Sequence, residues 1–65
     1  MFVIVNGQAH PLYEPRTLAE LLRSLSPSVP FAVARNEELV PRGSYEDCLL
    51  IAGDRIDIVH PTVGG

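Results

Sequence analysis

Lysine is absent from this chain. Its five basic residues are all arginine, Arg16, Arg23, Arg35, Arg42 and Arg55, and they are spread evenly. Against 8 acidic residues they leave a formal net charge of −3. Affinity for phosphate backbones normally comes from clustered positive charge, so nucleic acid and anionic membrane are disfavoured as partners. The single cysteine, Cys48, rules out an internal disulfide framework and any CxxC metal pair. With only His10 and His60 beside it, a zinc site is not expected. Long apolar runs are missing too, and nothing approaches the ~20 residues of a membrane span. The opening Met1 to Val5 stretch has no basic lead-in and is too short for a signal core. A cytoplasmic protein is the expectation.

Length narrows the function further. The 65 residues make one small domain at most. Ordering them costs on the order of 100 kcal/mol, at roughly 1.5 kcal/mol per residue. The 46% of hydrophobic residues can offset that with one thin core. An enclosed pocket of roughly 300 Å³ would hollow such a core out. An autonomous enzyme is therefore not expected, and no residue is assigned a catalytic or metal-binding role.

What is present reads as ββαββ. Phe2 to Val5 is a strand ending at Asn6-Gly7, the strongest short hairpin signal. A second strand should run from 8 to about 13, with Pro11 placing it at an edge or bulge. Thr17 and Glu20 have the capping-box spacing, and Leu18, Leu21, Leu22 and Leu25 form one leucine stripe. The Ser and Pro residues from 26 to 30 stop this helix after about nine residues, so burial of the stripe must hold it. Residues 31–35 read as a third strand, 36–38 as a polar turn, and Leu39-Val40 as a short strand cut by Pro41. Residues 42–47 read as a polar connection. Gly53-Asp54 turns the chain into a last strand, Arg55 to Val59, whose Ile56 and Ile58 alternate with charge.

One helix can cover only one face of such a sheet. In the first strand Val3 and Val5 alternate with Phe2 and Ile4, so both faces are apolar. With the valines placed inward by analogy with the fold named below, Phe2, Ile4 and Val59 become candidates for a partner-docking surface. Cover by loops is the plainer alternative. Cys48 lies in an apolar stretch and reads as an inert core thiol. His10 and His60 have no telling partner and are placed in turns, and Glu37-Glu38 and Glu46-Asp47 read as solvated loop charge.

The sequence closes on Gly64-Gly65 shortly after a proline-ended strand, with only Thr62 and Val63 between Pro61 and the glycines. An α-carboxylate has a reference pKa of about 3.5 and is ionised at neutral pH. Two residues without Cβ make the thinnest stem a peptide can offer, one able to thread a narrow channel on another protein. The expected organisation is a domain over residues 1–61 and a flexible tail over 62–65.

These features resemble the ubiquitin-like β-grasp carriers, and within them the ThiS sulfur carriers of thiamine biosynthesis. The resemblance rests on Asn6-Gly7, the Thr17 to Leu22 helix start, Ala32-Val33-Ala34-Arg35-Asn36 and Leu39-Val40-Pro41-Arg42. It continues through Gly53 to Val59 and ends on Val63-Gly64-Gly65. Arg35 departs from the aliphatic residue expected there and leaves the inward face of its strand open. His60-Pro61 is a further local variation.

The resemblance implies an α+β β-grasp fold, with one main helix on one face of a mixed four- to five-stranded sheet. It implies a protein co-substrate, monomeric when free, that binds no cofactor itself. Gly65 would be adenylated by a ThiF-like adenylyltransferase using ATP and Mg²⁺. A persulfide donor such as a cysteine desulfurase would then give the thiocarboxylate, and a ThiG-like thiazole synthase would take the sulfur. Gly64 would give clearance and Val63 the last contact before the partner's channel. The related alternatives are carriers for molybdopterin synthesis, tRNA or amino-acid thiolation, or protein tagging. A β-grasp RNA-binding module and an accidental Gly-Gly on a β-grasp fragment are the others.

Overall fold

The structure, a computed structural model, describes residues 1–61. Phe2–Val5 (β1) and Gln8–Pro11 (β2) form an antiparallel hairpin. The turn puts Asn6 at φ 48° and Gly7 at φ 83°. Two positive φ values at the central residues are what a two-residue hairpin turn of the primed type requires, and Asn-Gly supplies them at least cost. Leu18–Leu25 (α1) follows. Ala32–Arg35 (β3) pairs antiparallel with Glu38–Leu39 (β4), and Arg42–Asp47 forms a 3-10 helix. Arg55–Val59 (β5) closes the sheet.

The strand order is β2-β1-β5-β3-β4. The last strand is thus central, parallel to β1 and antiparallel to β3. Five strands and one helix make the α+β architecture expected from the sequence. Pro11 lies on the outer strand β2, where its missing N–H leaves no ladder bond unmade.

The helix starts where its capping box dictates. Thr17 Oγ1 accepts from the Glu20 N–H at 3.2 Å, and Glu20 Oε1 accepts from the Thr17 N–H at 2.9 Å. That backbone bond holds the Glu20 carboxyl below its ordinary range. Ser26 ends the helix in a left-handed conformation, with its N–H bonded to the Leu22 carbonyl. Eight residues cannot sustain a helix in water. Leu18, Leu21 and Leu22 are buried against Val3, Val33, Ile56 and Ile58, while Leu12 and Leu50 complete the core. Leu25 packs at its margin. At about 25 cal/mol per Å² of apolar area, this burial is the main stabilising term.

Several local expectations shift. The second strand ends at Pro11 rather than near 13, although Leu12 still exchanges backbone bonds with Met1. The short fourth strand sits one residue earlier than read, since Val40 turns inward to pack on the core margin. The polar connection over 42–47 is a 3-10 helix packed against α1. His10 lies in β2 opposite Val3 rather than in a turn. Cys48 is half-buried at the core margin, not enclosed in it.

Candidate docking face

Strand parity decides what the open side of the sheet presents. Val3, Val33, Ile56 and Ile58 face α1 and are buried. Their neighbours therefore point the other way. Phe2 is 57% exposed and Val59 54%, while Ile4 is half-buried among its strand neighbours. The register adds Leu39, which pairs with Ala34 on the outer face and is 74% exposed. Sequence reading missed Leu39 because the pairing of β4, not its composition, sets which way it points.

Charge on this face is confined to β5. Arg55 makes an ion pair with Glu37 at 2.8 Å. Asp57, two residues further on, is half-buried and has no ion-pair partner among the described residues. It pairs across the sheet with Ala34, so a small apolar side chain flanks the carboxylate.

Two asparagines and one aspartate fix β5 in place. Asn6 Oδ1, from the first hairpin turn, accepts from the Ile58 N–H at 2.8 Å. Asn36 Oδ1, from the second, accepts from the Arg55 N–H at 2.9 Å. Asn36 also donates through Nδ2 to Asp54 Oδ1 at 3.1 Å. Asp54 Oδ2 accepts from the Ile51 N–H at 2.8 Å and from the Arg35 guanidinium at 2.9 Å. Burial pushes the Asp54 carboxyl up. The Ile51 N–H, the Asn36 amide and the Arg35 guanidinium outweigh it and hold the carboxyl below the ordinary range. Its hydrogen bond in turn pushes Arg35 further up.

This cluster resolves the open question about β3. Arg35 shares the inner face with Val33, and it is tolerated there because Asp54 neutralises it at the margin of the core. Its Nη1 also donates to Cys48 Sγ at 3.6 Å, beside an open cavity of about 370 Å³. Among the described residues no group of three or more His, Cys, Asp or Glu side chains could hold a metal ion. No described helix is long and apolar enough to cross a membrane. The remaining candidates, Val63, Gly64 and Gly65, lie outside the described residues.

The model of the ThiS family matches residues 3–65. The chain belongs to the ThiS family. Two solved structures share its architecture. The crystal structure of the thiamine biosynthesis protein ThiS from Geobacter metallireducens superposes with a TM-score of 0.86 at 25% identity, covering 100% of both chains. The solution structure of a thiamine biosynthesis protein from the same organism gives a TM-score of 0.79 at 25% identity, covering 100% of this chain and 88% of that one. No curated protein matches the sequence. For a ThiS family member the fold is the β-grasp expected from the Asn-Gly hairpin, the capped helix and the final strand.

Proposed function

We propose that this chain is a sulfur carrier of thiamine biosynthesis, a co-substrate rather than a catalyst, whose Gly65 carboxylate is the group acted upon. A ThiF-like adenylyltransferase docks on the outer sheet face through Phe2, Ile4 and Val59. It draws Val63 and Gly64 into the channel that leads to its ATP site. A Gly65 carboxylate oxygen attacks the α-phosphate of ATP, pyrophosphate leaves, and an acyl-adenylate forms. A free carboxylate is a poor electrophile, and the adenylate supplies the leaving group that it lacks. The Mg²⁺ and positive groups that stabilise that transition state belong to the partner.

A persulfide sulfur, from a cysteine desulfurase or another donor, next displaces AMP at the acyl carbon. The first product is an acyl persulfide joined to the donor. A thiol reductant then attacks the donor's sulfur, which leaves as a disulfide, and Gly65 keeps the sulfur as its thiocarboxylate. A ThiG-like thiazole synthase then accepts the same tail and takes the sulfur into the thiazole ring.

The observation that carries this reading is the family match, which runs through the final Gly64-Gly65 of the sequence. The uncovered apolar face supports it. The test is intact mass after incubation with the adenylyltransferase, ATP, a persulfide donor and a thiol reductant. The chain gains the sulfur-for-oxygen increment, and deletion of Gly65 abolishes it. An unchanged mass for the full chain refutes the carrier reading.

A further inference from the structure

The outer face is not uniformly apolar: among the described residues, the side chains of Arg55 and Asp57 bring charge to it. Arg55 is already neutralised within the chain, by Glu37 at 2.8 Å. Asp57 is not: no basic side chain among the described residues reaches it. It stands half-buried on the central strand, on the same face as Val59 and across from Ala34. Water still reaches the carboxylate in the free carrier. A partner that covers Phe2, Ile4 and Val59 must strip that water away, because Ile4 is level with Arg55 and Asp57 lies between Arg55 and Val59 on the same strand. A carboxylate desolvated with no counter-charge is strongly unfavourable, whereas one met by a guanidinium or ammonium is tolerated.

We infer that Asp57 is the specificity determinant of this docking face, selecting an activating enzyme whose apolar docking patch carries an arginine or lysine placed against it. The inference rests on the carrier reading above and names the chemistry of the partner at that site. Apolar contact from Phe2, Ile4 and Val59 supplies area without much selectivity. Asp57 supplies rejection, since a greasy surface without a cation would have to bury an unpaired charge. It is also the element that fixes register on a flat sheet, where apolar side chains alone allow a partner to slide.

The experiment uses the full chain and a ThiF-type adenylyltransferase, with binding followed by titration calorimetry and turnover by ATP–pyrophosphate exchange. Asp57→Asn and Asp57→Val each weaken binding roughly 30-fold or more, the lower end of the cost of removing one partner of a desolvated charge pair. Asp57→Glu recovers most of the affinity. Melting temperatures of all three match the parent, since Asp57 makes no ion pair within the fold. The wild-type complex weakens at high salt, and Asp57→Asn loses most of that sensitivity. A merely structural role would not move the salt dependence.

Binding of Asp57→Asn within twofold of wild type, or tighter binding of Asp57→Val, overturns the inference. A salt-insensitive wild-type complex does the same without any variant. In each of those cases wild-type exchange still proceeds, so the carrier reading stands. Absence of wild-type binding and exchange instead removes the carrier reading, and the inference with it.

Discussion

The two faces of β5 belong to one stretch of backbone yet sit in different solvents. Ile56 and Ile58 look into the leucines of α1 and are buried, whereas Arg55, Asp57 and Val59 look away from the helix. Alternation along five residues thus separates what holds the domain together from what the proposed docking face presents. The lesson is that in a sheet with a single helix, stability and recognition can be changed independently by moving one residue along the strand.

The sharpest way to break that comparison is a pair of substitutions, one on each face. Ile56→Ala removes a fully buried side chain and leaves a cavity, costing roughly 2–5 kcal/mol of unfolding free energy. Phe2→Ser, on the outer face, changes stability by less than about 0.5 kcal/mol. It raises the KM for adenylation roughly tenfold, as loss of an aromatic anchor does. Denaturant melts and exchange kinetics on both variants check this, and a Phe2→Ser chain that melts like Ile56→Ala would erase the distinction.

A second, somewhat smaller effect concerns the polar margin of the inner face. Asp54→Ala leaves the Arg35 guanidinium, the Asn36 amide and the Ile51 N–H without their acceptor, costing about 2–4 kcal/mol. The parent chain carries the same dependence on acid. The unfolded carboxyl takes up its proton near pH 3.9, above the lowered value of the folded state. Folding stability from this group is therefore complete above about pH 5 and drains away as pH falls through the folded value. Urea melts along an acid series should show a shallower decline for Asp54→Ala than for the parent.

The smallest effect sharpens the comparison at the second hairpin. Glu37 occupies φ 73°, the place that Gly7 fills in the first turn. Relief of the left-handed strain is worth about 1–2 kcal/mol. The added freedom of glycine in the unfolded chain subtracts roughly 0.4–1 kcal/mol, and loss of the exposed pair with Arg55 subtracts a few tenths more. Glu37→Gly accordingly stabilises by about 0.5 kcal/mol net, which shows as a slightly higher denaturation midpoint.

Most of the framework was legible because its signals are local. Asn6-Gly7 dictates the first turn by its backbone tolerance, and Thr17 with Glu20 fixes the helix start through bonds three residues apart. Phe2, Ile4 and Val59 could be placed outward from alternation alone once one face was assigned to the helix. What stayed hidden depends on partners distant in the chain. Arg35 looked out of place until Asp54, 19 residues away, was seen to neutralise it. Leu39 joins the outer face only through its pairing with Ala34. The 3-10 helix over 42–47 has no apolar period to announce it and is set by packing on α1. His10 was misplaced for the opposite reason: a lone polar residue gives no hint that its backbone is in a ladder.

The position of β5 between β1 and β3 has a mechanical consequence. A partner that hauls on the chain beyond Pro61 pulls along a strand zipped to a neighbour on either side. The load is shared as shear across two rows of backbone bonds instead of peeling one edge open a bond at a time. A pull on the end of β5 is thus resisted by both of its neighbours at once.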